Sequence, residues 1–155
     1  MFLEISRRFW QLPWRDRLIL AEAFFWLSVA RPATAVLPFR RIANLAACRT
    51  SRQWPSADDR NTIIQRTRWA IHAAAKRVPW KALCFQQGIA AQVMLRRRGI
   101  ASTLYYGAAL DQGDELSAHV WVRDGDIDVV GCDQAGRYAV LATFPYRTTD
   151  SEFPS

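Results

Sequence analysis

A thiol, an imidazole and a carboxylate occur along this chain in the order that covalent acyl chemistry uses. Cys84 lies in "VPWKALCFQQ", residues 78–87, where a proline-broken loop turns into a helix. The first turn of a helix carries unpaired N–H groups and the positive end of the dipole, so it favours negative charge. A thiol placed there is disposed to ionise and act as a nucleophile. The same N–H groups can hold the oxyanion of an attacked carbonyl. The competing reading of a lone cysteine is a small core hydrophobe.

Such a nucleophile needs a base, and the chain holds two histidines. His72 falls mid-helix and reads as a partly exposed helical residue. His119 opens the strand "HVWV" beside apolar Val120 and Val122. A two-residue turn at Asp124-Gly125 would set Arg123 opposite Asp126, Trp121 opposite Asp128 and His119 opposite Val130. Asp128 would then lie diagonally from His119 on one sheet face, within reach of the imidazole. A carboxylate there fixes the tautomer and stabilises the imidazolium. A longer loop would move Asp128 to the other face, leaving Asp126 and Asp133 as fallbacks. All three also read as ordinary turn and edge-strand acids. Beside the Cys84 N–H, the Trp80 indole and Gln86 are candidate oxyanion donors. The order Cys, His, Asp follows papain-type and transglutaminase-type logic, which needs no metal and no cofactor. A zinc site from Cys84, His119 and Cys132 is a distant alternative.

These residues require a helix that starts at the cysteine and a hairpin that presents the histidine. In "LPWRDRLILAEAFFWLSVARPATAVLPF", Pro13 and Asp16 mark a helix start and Pro32 lies past its end. Apolar residues nearly surround that helix, so it should be buried against other elements. A short helix is expected over Phe39–Ala47. After the polar loop "TSRQWPSADDR", a third, capped by Asp58 or Asp59, runs from about Arg60 to Lys76. Pro79 stops it, and a fourth runs from near Ala82 to Arg98, with Gly99 closing it. Beyond Gly99 the pattern alternates: "IASTLYYGAAL", the hairpin "SAHVWVRDGDIDVVG" and "RYAVLATFPY" read as strands. Helices followed by an antiparallel sheet make an α+β fold. It is read as a single domain over 1–155 with an N-terminal helical part at about 1–76.

The length suits one core, and an apolar content of 50% excludes a disordered chain. The formal charge of +7 opens nucleic acid, anionic membranes and acidic proteins as partners. The arginines fall in short clusters (Arg7-Arg8, Arg15 and Arg17, Arg40-Arg41, Arg96-Arg97-Arg98), which fits solvated helix ends better than a nucleic-acid stripe. Three cysteines without a CxxC pair argue against a disulfide scaffold and fit a reducing cytoplasm. Glu4 and the paired arginines precede any apolar run, unlike a signal peptide. The run Leu18–Ala30, broken by Glu22, is shorter than the roughly 20 residues of a membrane span.

Three long segments, "RRFWQLPWRDRLILAEAFFWLSVARPATAVLPFRRIA", "VPWKALCFQQGIAAQVMLRRRGIASTLYYGA" and "AHVWVRDGDIDVVG", with "YAVLATFP", resemble the lasso-peptide B proteins. They are most similar to the stand-alone leader-peptidase form, a transglutaminase-like, papain-like cysteine protease domain. The resemblance covers nearly the whole chain. Its most specific parts are the cysteine followed by a helix ending in "LRRRGI" and the "HVWV" strand. It implies a transglutaminase-like core with extra N-terminal helices. The activity would be removal of the leader from a ribosomally made precursor peptide. The core peptide would pass to an ATP-dependent, asparagine-synthetase-like cyclase that closes a macrolactam. Cys84 matches the nucleophile, His119 the base and Asp128 the third member. Fused relatives carry a leader-recognition domain ahead of the protease, so here recognition is expected from a separate small protein. The expected enzyme is cytoplasmic and has no nucleic-acid partner, with membrane contact of the N-terminal helices left open. An amide-transfer enzyme on the same fold and a non-enzymatic basic binding module are the rival readings.

Overall fold

The structure is a computed structural model, described over residues 11–48, 55–110 and 115–145. The Arg7-Arg8 pair and the first part of the polar loop lie outside the described residues.

Helix α1 (Trp14–Val36) follows Pro13 and carries Asp16 in its first turn. Ile19, Leu20, Ala23, Leu27 and Ala30 form its buried side. Its end is later than expected: Pro32 lies inside the helix. The helix stops instead at Leu37, whose backbone is extended (φ −106°, ψ 146°). The residue before a proline is pushed out of the helical region, and Pro38 follows Leu37. Only one side of α1 is buried. Trp14, Leu18, Phe25, Val29 and Val36 stay exposed on the other. At 23 residues, with mean hydropathy 1.3 in its best window, α1 is long and apolar enough by length and composition to cross a membrane. The shorter run expected from the sequence is corrected in that respect. The core helix of a soluble protein passes the same test.

Helix α2 (Phe39–Ala46) buries Ile42, Ala43 and Ala46. Helix α3 (Ala57–Ala75) is capped by Ser56, whose Oγ accepts from the Asp59 N–H at 3.3 Å. Asp58 and Asp59 therefore occupy the first turn and are not the cap. Helix α4 (Cys84–Arg97) is buried along Gly88, Ile89, Ala90, Ala91, Met94 and Leu95. It ends at Gly99, whose φ of +78° suits glycine.

Four strands follow: β1 (Thr103–Leu110), β2 (Leu116–Asp124), β3 (Ile127–Val130) and β4 (Ala139–Phe144). A 3-10 helix (Cys132–Arg137) links the last two. The sheet is antiparallel, in the order β3-β2-β1-β4. Helices first and an antiparallel sheet after them make the α+β fold read from the sequence. Leu104, Val120 and Val122 lie in the core on the side where α4 packs. Gly88 permits that approach: a Cβ on it would stand 2.6 Å from Val120 Cγ1. Buried Gln92 donates from Nε2 to the carbonyls of Ser102 (3.2 Å) and Phe144 (3.0 Å), and accepts from Ser102 Oγ at 2.9 Å. These bonds tie α4 to both ends of the sheet sequence.

The hairpin register differs from expectation. Asp124 pairs with Ile127, so the turn is Gly125-Asp126, with Gly125 at φ +59°. The cause is visible on Asp124: its carboxylate is buried and held by both the Nε and Nη2 groups of Arg60 on α3. That ion pair keeps Asp124 in the strand. Arg123 then pairs with Asp128 and Val122 with Val130, with an irregularity between the two pairs.

Candidate active site

Cys84 is the first residue of α4, half-buried, and follows Leu83 at the N-cap position. Ser, Thr, Asp and Asn favour that position because a side-chain oxygen can take one of the free N–H groups. Leucine has no such oxygen, and no side chain caps α4. The only bond in the other direction runs from the Leu83 N–H to Gln86 Oε1 at 3.3 Å. The first-turn N–H groups of Cys84, Phe85 and Gln86 are thus left without the usual side-chain acceptor. A negative charge near Cys84 would meet these donors and the dipole together.

The two oxyanion candidates differ. Gln86 is buried, and its carbonyl oxygen is spent on Leu83; its amide N–H groups remain as donors. Trp80 lies just before α4 with its indole Nε1 buried and without a hydrogen-bond partner. Its ring stacks under the Arg31 guanidinium at 4.9 Å. A buried unpaired donor is unfavourable unless something fills it.

The direction of α4 over the sheet sets the level of Cys84. Gly88 stands over Val120, whereas Gln92 and Arg96 reach the carbonyl of Ser102. Moving toward the helix C-terminus therefore moves from Val120 toward the Arg123 end of β2. One turn the other way, about 6 Å, brings Cys84 to the Ala118–His119 end. Helix rise therefore puts the thiol and the imidazole at about the same level along the sheet. They leave it on different sides. Side chains alternate along a strand, and Val120 faces α4, so His119 projects to the opposite face with Trp121 and Tyr105.

There His119 is closely held. Its ring stacks on Tyr138 (centroids 5.0 Å, 30°) and on Trp121 (6.0 Å, 19°). Its Nε2 lies 2.7 Å from the carbonyl oxygen of Gly131. Trp121 stacks in turn on Tyr105 at 5.5 Å. Gly107, opposite His119 on β1, leaves room for this row, since a Cβ there would stand 2.9 Å from the Trp121 ring.

Asp128 is not beside His119. It pairs with Arg123 in the sheet and forms an ion pair with that guanidinium, Nε to Oδ1 2.8 Å. Arg123 is four residues along β2 from His119, roughly 13 Å at strand rise. The expected diagonal contact rested on a turn one residue earlier. Asp126 is in the turn, farther still. Asp133 is the only one of the three beyond β3. Continuing the Val122–Val130 register would set it opposite His119, but the chain turns at Gly131 (φ +73°) into the 3-10 helix. Asp133 is exposed there, and its charge acts on His72.

The remaining candidates separate from the site. Cys132 donates to the carbonyls of Val122 (3.3 Å) and Val130 (3.5 Å), and burial pushes its thiol pKa up, which suppresses reactivity. Cys48 is exposed at the end of α2. Among the described residues no group of three His, Cys, Asp or Glu side chains could hold a metal, so Cys84, His119 and Cys132 do not form the alternative zinc site. His72, half-exposed on α3, has its pKa lowered by burial of the ring and by Arg68, against the opposing pull of Asp133.

Two features were missed in the sequence. Leu83 at the cap position is legible, because an apolar residue stands where an oxygen is expected. Gly131, at the end of the "DVV" strand, could have been read as a turn glycine; its carbonyl contact to His119 could not.

No curated protein and no solved structure matches the chain. The family model of the transglutaminase-like superfamily matches residues 25–143. The match contains α2 to α4, the second half of α1 and nearly all of the sheet, including Cys84 and His119. By its fold and by this match over well over half its length, the chain belongs to the transglutaminase-like superfamily.

Proposed function

We propose that the protein is a cysteine peptidase that removes the leader from a ribosomally made lasso-peptide precursor. The observation that carries the reading is Cys84 on the first turn of α4, which no side chain caps. A superfamily of cysteine peptidases and transferases supports the reaction class, and the segments resembling lasso-peptide B proteins support the substrate.

In the proposed reaction His119 takes the proton of Cys84, and the thiolate attacks the carbonyl at the end of the leader. The N–H groups of the first turn hold the oxyanion. The core amine departs with the imidazolium proton, leaving the leader acylated on Cys84. Water, deprotonated by His119, then releases the leader carboxylate and restores the thiol. In the structure His119 faces away from α4, so the first step requires a rearrangement of β2 that turns the imidazole toward Sγ. A separate leader-recognition protein and a lasso cyclase are the proposed cytoplasmic partners. The outward apolar side of α1 and the formal charge of +7 offer them surface.

The test is precursor cleavage in a mixture of this protein, the recognition protein and the cyclase, followed by mass spectrometry. Cys84→Ala should abolish cleavage, and retained cleavage refutes the reading. A free leader carboxylate identifies hydrolysis; an amine adduct would identify amide transfer by the same thiol.

A further inference from the structure

We propose that the Gly131 carbonyl, and no carboxylate, orients His119; the inference rests on the proposed role of His119 as base. A carbonyl oxygen can only accept a hydrogen bond. At 2.7 Å the bond to Gly131 therefore requires the proton on Nε2, which leaves Nδ1 as the basic nitrogen of the neutral ring. Fixing this tautomer is one of the two tasks of the acid in a Cys-His-Asp arrangement. Charge stabilisation of the imidazolium is the other, and a neutral carbonyl supplies less of it.

The mount around the ring is over-determined. Tyr138 and Trp121 stack against His119, so the ring plane is set. The carbonyl is set by the turn at Gly131. Its φ of +73° favours glycine, and a Cβ would stand 2.6 Å from the Val120 carbonyl and 3.3 Å from His119 Nε2. A larger residue at 131 would therefore push the acceptor off the imidazole. The oxygen at hydrogen-bond distance from His119 is the Gly131 carbonyl, whereas Asp128 pairs with Arg123 and Asp133 is exposed on the 3-10 helix. Gly131 is thus a positioning residue that acts through His119.

The tautomer can be read without any activity. In the full-length protein labelled with 15N-histidine, His72→Gln leaves His119 as the single histidine. Long-range 1H–15N correlation above the titration range should show Nε2 protonated and Nδ1 bare. The Nδ1–H tautomer, or an even mixture, overturns the proposal. Asp128→Asn and Asp133→Asn should each preserve the tautomer and keep kcat within about twofold. A change of tautomer, or a loss beyond about 100-fold, in either variant restores a carboxylate as the orienting group and overturns the proposal. Gly131→Ala should randomise the tautomer and lower kcat with little change in KM. If Gly131→Ala does not fold, the wild-type spectrum still decides. Retained cleavage by Cys84→Ala would remove the peptidase reading and leave the tautomer result standing.

Discussion

Replacing Leu83 by serine separates what the bare helix start does for the fold from what it does for the reaction. A serine at the N-cap offers Oγ to the N–H of Phe85 or Gln86, worth about 1 kcal/mol. Leu83 is 49% exposed. Losing its side chain therefore forfeits about half of the roughly 1.5–3 kcal/mol of full burial, again about 1 kcal/mol. The two effects oppose, so Leu83→Ser should lie within about 1 kcal/mol of the parent, a Tm change of no more than about 2–4 °C at this chain length. The reaction should respond differently. If the first-turn donors hold the oxyanion, an internal acceptor competes for them, and loss of one such donor lowers kcat by roughly 100- to 1,000-fold. Leu83→Ala is the control: it removes the same packing and adds no acceptor, so it should keep near-parental kcat at a slightly lower Tm. Single-turnover cleavage and thermal melts on the three proteins decide the matter. Equal rates for the serine and alanine variants would show that the open helix start does not stabilise the transition state.

The remaining predictions concern stability. Arg60→Met strands the Asp124 carboxylate, whose side chain is 1% exposed, and should destabilise by about 3–5 kcal/mol in urea melts, whereas Arg60→Met with Asp124→Leu should recover most of that loss. A small loss for Arg60→Met alone would mean that the pair does not fix the hairpin. His72 has a folded pKa below its unfolded value of about 6.5, so the unfolded chain binds more protons in that window and stability falls as pH drops through it. His72→Gln should flatten the Tm difference between pH 7.5 and 5.5; a steeper dependence would reverse the assigned direction.

The helices and strands were legible because hydrophobic period and proline or glycine punctuation are local. Gly99 closes α4, and the change to alternation after it marks the sheet. Local signals failed where distant groups intervene. Pro32 reads as a stop, but the packed side of α1 continues the helix until Pro38 constrains Leu37. Asp124-Gly125 reads as a turn pair, but Arg60, 64 residues away in sequence, holds Asp124 in the strand and shifts the turn by one. That shift moved Asp128 from the neighbourhood of His119 to Arg123. Cys84 was placed on the helix start by its own neighbours. The partner of His119 was not, because a backbone carbonyl has no residue type to recognise.

Gln92 links the helix that begins at Cys84 to the carbonyl of Phe144 in the last strand. The order of synthesis gives that bond a temporal meaning. Cys84 leaves the ribosome well before His119, and the strand that completes the Gln92 network emerges last. Elongation runs at about 5–20 residues per second, so the thiol precedes its sheet by seconds. During that interval the helix has neither the rim that carries the imidazole nor the strand that locks its position. On the proposed peptidase reading, the nascent chain is inert toward acyl substrates until its C-terminal third is in place, a delay written into the order of helices before strands.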